Sequence, residues 1–384
     1  MTVRQNSGVR EPLISARPLR LLMVCARYLP DVGGTETHVN EVAQRLSEQG
    51  QFDVTVLATD RTGKRPRREV LGNVKVLRVR AFPRSRDYYL APGIAAAVAQ
   101  PGRWDLIHCQ GIHTPVPILA MLAARHAGIP YMVTFHTGGH TLQYRNALRA
   151  IQWRMVGPLL RNAVSLVGVS TFEAEVLSKH AHLGSKPVTV IYNGGTLPEP
   201  DAKATAVRGR IISTGRLERY KGHQRVIEAL PYVMHEVPDA HLVVLGKGPY
   251  EPELRKLAQR LGLSDRVQIS YLPPDERGAM AAALAQASVV AAFSDYEAHP
   301  VAVIEALSAG RPVVGYDNAG MADLVAKGWV RGVTPGSPPA TAARMIAQAM
   351  ASPSPAMTPD LPTWDSCAAE LGNLYLASAN RATA

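Results

Sequence analysis

A few groups of residues in this 384-residue chain have types and spacings that could do chemistry. The segment Ser294-Asp295-Tyr296-Glu297-Ala298-His299-Pro300-Val301 closes an apolar run, and Glu305 follows in the apolar helix predicted after it. A carboxylate in an apolar helix start is costly unless it pairs or binds a ligand. Ionised carboxylates only accept hydrogen bonds, so Glu297 and Glu305 suit sugar and ribose hydroxyls. The plainer alternative has Glu297 complementing the helix dipole and Glu305 pairing with a neighbour such as Arg311. In Thr214-Gly215-Arg216-Leu217-Glu218-Arg219-Tyr220-Lys221-Gly222, an Arg fork and a Lys point charge five residues apart either suit a diphosphate or are two solvated cations. Gly33-Gly34-Thr35 precedes a helical stripe of Val39, Val42, Ala43 and Leu46. Paired glycines let backbone approach a ligand, Thr35 can cap the helix, and free helix amides attract phosphate; a tight turn would read the same way. His136, in Phe135-His136-Thr137-Gly138-Gly139-His140, ends a predicted strand and either faces a cleft or serves the fold. His108 lies inside an apolar strand and reads as core or as a residue supporting the site from behind.

Other motifs fall away. Gly246-Lys247-Gly248-Pro249-Tyr250-Glu251 has Glu251 where a dinucleotide fingerprint needs its third glycine, so NAD binding is rejected. No Ser–His–Asp order, zinc spacing or P-loop occurs. Cys25, Cys109 and Cys367 are too few and too far apart for a disulfide framework or a metal site.

The elements that position these residues follow from periodicity. Apolar runs at 19–25, 53–58, 74–79, 105–109, 131–135, 164–169 and 188–191 read as strands separated by helices. The stretch 196–209 has no period and reads as a linker. Strands resume at 210–214, 241–245, 266–270, 288–293 and 312–316, with helical spacers such as 224–234 and 251–261 and a last amphipathic helix at 363–378. Near-continuous apolar strands separated by helices mean parallel sheets covered on both faces, here two doubly wound α/β domains in series. Ligands bind such sheets at the carboxyl ends of the strands, where the residues above fall.

A composition of 46% hydrophobic and 19% charged residues fits a globular chain, and its length calls for about two domains. No apolar run reaches a membrane span, and no secretory signal is visible, so a cytoplasmic setting is expected. The net charge of +11 is uneven: residues 1–200 hold 24 Lys+Arg against 13 Asp+Glu, and the rest are balanced at 18 each. The excess is densest between Arg61 and Arg86, where ten cations face Glu69 alone. Such asymmetry suggests an anionic partner: nucleic acid, a membrane surface or an anionic substrate. Aromatics are almost missing from that segment, which argues against nucleic acid.

In order, Gly33-Gly34, Phe135-His136-Thr137, Val169-Ser170, Asn193-Gly194, Gly215-Arg216-Leu217 with Tyr220-Lys221-Gly222, Leu245-Gly246-Lys247-Gly248-Pro249 and Glu297 with Glu305 resemble the retaining family-4 glycosyltransferases of the GT-B fold. Ala309-Gly310-Arg311-Pro312-Val313-Val314 and Thr363-Trp364-Asp365 also fit, and the resemblance runs from about Leu19 to Ser378. It implies two Rossmann-like doubly wound domains facing an interdomain cleft. Residues 18–196 form the acceptor side, with helix 363–380 packing back on it; 197–209 link it to 210–362, which bind the nucleotide sugar. By matching position, Arg216 and Lys221 contact the donor diphosphate, Glu305 the ribose hydroxyls and Glu297 the donor sugar. Gly33 and Gly34 approach the phosphate from the first domain. His136 lies near sugar and acceptor, with Thr137 and Gly138 on the acceptor side. His136, Arg216, Lys221 and Glu297 are the implied catalytic set.

The implied reaction moves a sugar, with retention, to a hydroxyl of a glycan, a lipid-linked or a small-molecule acceptor. It needs no enzyme nucleophile, no metal and no cofactor beyond the donor. A possible site at the inner membrane face goes with the basic first half. One departure stands out: the family's commonest Gly-Phe-Gly after the first Glu is Ala298-His299-Pro300 here. Pro300 lacks an amide hydrogen, so one donor hydrogen bond is absent or replaced, and His299 can supply a side-chain donor. The competing reading, a catalytically idle sugar-nucleotide or anionic-membrane binding module, does not need both the Arg216/Lys221 and Glu297/Glu305 sets.

Overall fold

The computed structural model describes residues 17–83, 89–136, 143–199, 205–273, 276–351 and 360–383. In the first half, strands β1 (Leu19–Val24), β2 (Phe52–Asp60), β3 (Arg68–Leu71), β4 (Val74–Arg80), β5 (Leu106–Gln110), β6 (Tyr131–Phe135), β7 (Ser165–Gly168) and β8 (Thr189–Val190) form one sheet. Their order is β3-β4-β2-β1-β5-β6-β7-β8, parallel except for the β3–β4 hairpin. Helices α1 (Gly34–Glu48), α2 (Gly93–Val98), α3 (Pro115–His126), α4 (Gln143–Asn162) and α5 (Thr171–His180) connect them. The second sheet, β11-β10-β9-β12-β13-β14, is all parallel. It comprises β9 (Arg210–Thr214), β10 (His241–Leu245), β11 (Val267–Ser270), β12 (Val289–Ala292), β13 (Val313–Tyr316) and β14 (Arg331–Val333). Its helices are α6 (His223–Glu236), α7 (Glu251–Arg260), α8 (Arg277–Ala285), α9 (Val301–Ser308), α10 (Ala319–Ala326) and α11 (Pro339–Ala351); α12 (Trp364–Thr383) ends the chain.

The strands are apolar throughout because both faces are covered: β5 and β6 are buried at every position. The hairpin strand β3 breaks the parallel pattern expected from sequence. It alternates exposed and half-buried residues on a sheet edge, where one face needs no apolar cover.

The final helix returns to the first sheet. Trp364, Cys367, Leu371 and Tyr375 join the cluster built on Leu21, Met23 and Val56. Trp364 and Tyr375 are fully buried, each contributing about 4–6 kcal/mol of gross transfer energy before entropy is charged. Polar contacts fix the register of the helix: Tyr375 Oη lies 2.7 Å from His108 Nδ1, and Arg45 Nε donates to Asp365 at 2.5 Å. The crossover from β8 is squeezed between α12 and α9. A Cβ at Gly194 would lie 2.1 Å from the Trp364 nitrogen, so no larger residue fits there.

The sheets also meet through side chains. Thr171 N donates to Asp323 Oδ2 at 2.6 Å, Tyr296 Oη donates to Glu173 Oε1, and Phe172 packs edge-on to Tyr296. Val301, the first residue of α9, packs against the first-sheet cluster. Among the described residues no helix is long and apolar enough to cross a membrane, and the three cysteines are buried thiols.

Candidate active site

In each sheet the chain reverses its winding direction once, between β1 and β5 and between β9 and β12. Such switch points leave a crevice beyond the carboxyl ends of the two central strands. The loop after β9 carries Arg216 and Lys221, and the loop after β12 carries Glu297.

Gly222 brings these loops together. It holds φ +76°, open to glycine at little cost, and a Cβ there would sit 1.9 Å from the Phe293 carbonyl at the end of β12. Asp295 N donates to Tyr220 O at 2.7 Å, locking one loop to the other. Lys221 Nζ then meets Glu297 Oε1 at 2.7 Å, and Ser294 Oγ donates to the same oxygen at 2.7 Å. Burial pulls the Lys221 pKa down, but Glu297 and Tyr220 together raise it and the net shift is upward, so the ammonium stays charged. Arg216 stands apart. Its guanidinium donates to Tyr220 Oη at 2.7 Å, pairs with Glu218 at 3.0 Å, and is 54% exposed. One largely buried cation and one exposed cation therefore share the loop.

Glu305 lies in the second turn of α9 and is 5% exposed. Its partner is Arg277 of α8, and the expectation of Arg311 is corrected: Arg311 donates instead to the carbonyls of Ala285, Ala287 and Ala309. Burial raises the Glu305 pKa, Arg277 opposes the rise, and Glu41 of α1 adds to it. Val301 of α9 packs on the cluster that holds Val39 and Val42 of α1, which brings the two helices close across the two sheets.

His299 lies in the same loop as Glu297 and makes no hydrogen bond to the carboxylates among the described residues. Its ring lies against Tyr192, 5.2 Å between centroids, with both nitrogens buried and unpartnered. Burial and Lys327 push its pKa down to about 3, so it is neutral. Pro300 caps α9 with no side-chain hydrogen bond, leaving the first amides from Val301 onward uncapped by side chains.

On the first sheet, α1 starts at Gly34 behind an extended Gly33. No side chain caps it, and Thr35 lies inside the helix, contrary to the capping role expected from sequence. A Cβ at Gly33 would press on the Glu36 carboxylate at 2.6 Å, whereas Gly34 faces open space. His136 directly follows β6, with Nε2 2.7 Å from Gln110 Oε1 and its ring edge-on to His38 at 4.7 Å. An amide oxygen accepts only, so Nε2 carries the hydrogen and Nδ1 presents a lone pair. His38 Nδ1 lies 2.9 Å from Asn193 Oδ1. His108 is core, bridging Tyr375 and Thr134. Thr137 and Gly138 lie outside the described residues, as do Arg84, Arg86 and 200–204 of the linker. Sequence reasoning missed Gln110, Tyr192 and Arg277; only the Asn193-Gly194 motif hinted at its loop.

Burial drives several histidine pKa values down: His38 and His223 to about 4, His108 and His136 well below the usual value. The unfolded chain protonates these rings near pH 6.5 and the folded chain does not, so stability rises with pH across roughly 4 to 6.5. Going from pH 7 to pH 5 should cost about 1–2 kcal/mol per such histidine and lower the melting temperature. Equal melting temperatures at the two pH values would contradict this.

The comparisons with known proteins agree with this geometry. The Glycosyltransferase Family 4 model matches residues 32–195 and the Glycosyl transferases group 1 model matches 204–359. The D-inositol 3-phosphate glycosyltransferase of Streptomyces scabiei is 26% identical over 98% of this chain and 95% of that protein. The GDP-mannose:cellobiosyl-diphosphopolyprenol alpha-mannosyltransferase of Komagataeibacter xylinus is 26% identical over 76% of this chain and 74% of that one. Among solved structures, Anabaena HepE in complex with UDP and glucose superposes with a TM-score of 0.70 at 19% identity, covering 94% of this chain and all of that one, 100%. Two matched halves, two facing parallel sheets and a charged crevice at their switch points place the chain among the group 1 glycosyltransferases of the GT-B fold.

Proposed function

We propose that the enzyme transfers a sugar, with retention, from a nucleoside diphosphate donor to a hydroxyl of a glycan, lipid-linked or small-molecule acceptor. The observation that carries this reading is the Lys221–Glu297 pair, which joins the strand-end loops of β9 and β12 beside the exposed Arg216. Support comes from a solved neighbour that holds UDP and glucose and from curated relatives that glycosylate inositol phosphate and diphosphopolyprenol acceptors.

Each residue then has a task. Lys221 and Arg216 face the diphosphate, whose negative charge grows as the glycosidic bond breaks; fixed cations in a crevice stabilise that charge without reorganising at the moment of reaction. Glu305 accepts hydrogen bonds from the ribose hydroxyls, and Glu297 orients the donor sugar while holding Lys221. The uncapped N-terminus of α1 at Gly33-Gly34 adds amide donors from the other side. His136, neutral and held through Nε2 by Gln110, suits a hydroxyl of sugar or acceptor. Acceptor attack from the face that the diphosphate leaves gives retention without an enzyme nucleophile, and the departing phosphate can take the proton. With cations doing the charge neutralisation, no metal is required.

The test is turnover of a panel of UDP-, GDP-, ADP- and TDP-sugars with candidate acceptors, reading the first-formed anomer by NMR in the presence of EDTA. The α-linked donor should give an α-linked product at undiminished rate. A β product, or loss of activity on chelation, would overturn the retaining or metal-free part respectively.

A further inference from the structure

Strand β5 carries two polar side chains, His108 and Gln110, buried on an otherwise apolar strand, so each needs a partner. Alternation along a strand puts both on one face. Gln110 pairs in register with Thr134 of β6, and His136 follows Thr134 by two residues. The side-chain contacts run diagonally between the strands. His108 Nε2 lies 2.7 Å from Thr134 Oγ1, and Gln110 Oε1 lies 2.7 Å from His136 Nε2. The other nitrogen of His108 sits 2.7 Å from Tyr375 Oη of α12, and Gln110 Nε2 lies 3.2 Å from it. His108, Thr134 and Tyr375 are fully buried and Gln110 nearly so. A chain of polar groups therefore leads from the last helix, through His108 and the Gln110 amide, to His136 at the carboxyl end of the sheet.

We propose that Gln110 is the positioning residue of His136: its amide oxygen fixes the imidazole in the Nε2–H tautomer, with Nδ1 as the accepting nitrogen, and keeps the ring neutral. Gln110 acts only through His136, so its role rests on the reading of that ring as a contact to a hydroxyl of sugar or acceptor. The partner of one ring nitrogen decides which nitrogen carries the hydrogen. An amide oxygen takes the Nε2 hydrogen without bringing charge, whereas a carboxylate in the same place would favour the imidazolium. An imidazolium donates from both nitrogens and accepts at neither. The titratable groups that bear on the ring are His38 of α1, His108 of β5 and His113 of the loop after β5, and each disfavours a positive charge on it. Gln110 completes these surroundings with a neutral acceptor.

Nitrogen NMR of histidine-labelled protein without substrate reads the tautomer, with His136 assigned by its loss in His136→Ala. The wild type should show the Nε2–H ring, neutral from pH 8 down to pH 5.5, and Gln110→Ala a mixture of tautomers. In Gln110→Glu the carboxylate should raise the pH at which His136 protonates by about 1 unit or more. With the donor and acceptor found in the panel above, Gln110→Ala should lose roughly 10–100-fold in kcat. Its donor-induced melting shift should persist, because Arg216, Lys221 and Glu305 belong to the second sheet. Gln110→Glu should keep turnover at high pH and lose it as the pH falls through the raised value, a loss the wild type does not show. An Nδ1–H ring in the wild type overturns the proposal, and that spectrum decides even where a variant fails to fold. So does an unchanged tautomer in Gln110→Ala, or an unchanged titration in Gln110→Glu. Full turnover in His136→Ala overturns the reading of that ring, whereas an inactive His136→Ala beside a fully active Gln110→Ala overturns the role of Gln110 alone.

Discussion

Lys221→Ala should lower kcat by about 10²–10³-fold, the usual loss when one preorganised electrostatic partner of a transition state is removed. The variant also leaves Glu297 with Ser294 alone, so some stability is lost with the activity. Both side chains retain partial exposure, which keeps that cost to about 1–3 kcal/mol, within the range for an unsatisfied polar group. The Lys221→Ala/Glu297→Ala double variant separates the two effects. It should recover stability by removing the orphaned charge, yet stay inactive. Near-normal turnover in Lys221→Ala would show that the cation does no work on the diphosphate. Recovery of turnover in the double variant would show that the pair is only structural.

The second large effect is expected at Glu305. Hydrogen bonds to a charged acceptor are worth about 1.5–3 kcal/mol, so Glu305→Ala should weaken donor binding about 10–100-fold. It should act mainly on KM, because the ribose lies away from the bond being broken. Glu305→Gln keeps the shape and one acceptor and should fall between. Arg277 loses its partner in both variants but is 38% exposed and can turn to water, so melting should change little. Donor titrations of the three proteins decide the matter; equal affinities would remove Glu305 from the nucleotide site.

Much of this arrangement can be read before any coordinates. The strands Tyr131–Phe135, Arg210–Thr214 and His241–Leu245 end where their apolar runs end, because burial on both faces leaves no periodic ambiguity. Lys221 and Glu297 are both legible as chemistry-bearing residues at strand ends. Their contact is not, since 76 residues separate them and only the close approach at Gly222 joins the loops. The Glu305–Arg277 pair is hidden for the same reason: no helical spacing spans 28 residues, and the nearer Arg311 is drawn off by backbone carbonyls. The edge strands β3 and β14 were missed because four and three residues give too short a pattern. The contact of His299 with Tyr192 is hidden too, because the two rings come from different halves of the chain.

The charge asymmetry reads differently once folded. Of the ten cations between Arg61 and Arg86, Arg65, Lys75 and Arg78 pair with Asp31, Asp53 and Glu69, while Lys64, Arg67, Arg68 and Arg80 stand exposed. The charged crevice lies in the half whose net charge is zero. Net charge alone therefore did not locate the crevice.

The central claim is that the crevice around Lys221, Glu297 and Glu305 holds a nucleoside diphosphate sugar. Thermal unfolding of the wild type and of Lys221→Ala, each with UDP-, GDP-, ADP- and TDP-sugars, tests it most directly. One donor should raise the wild-type melting temperature well above the others and lose most of that shift in the variant. No shift with any donor, or the same shift in both proteins, would contradict the account.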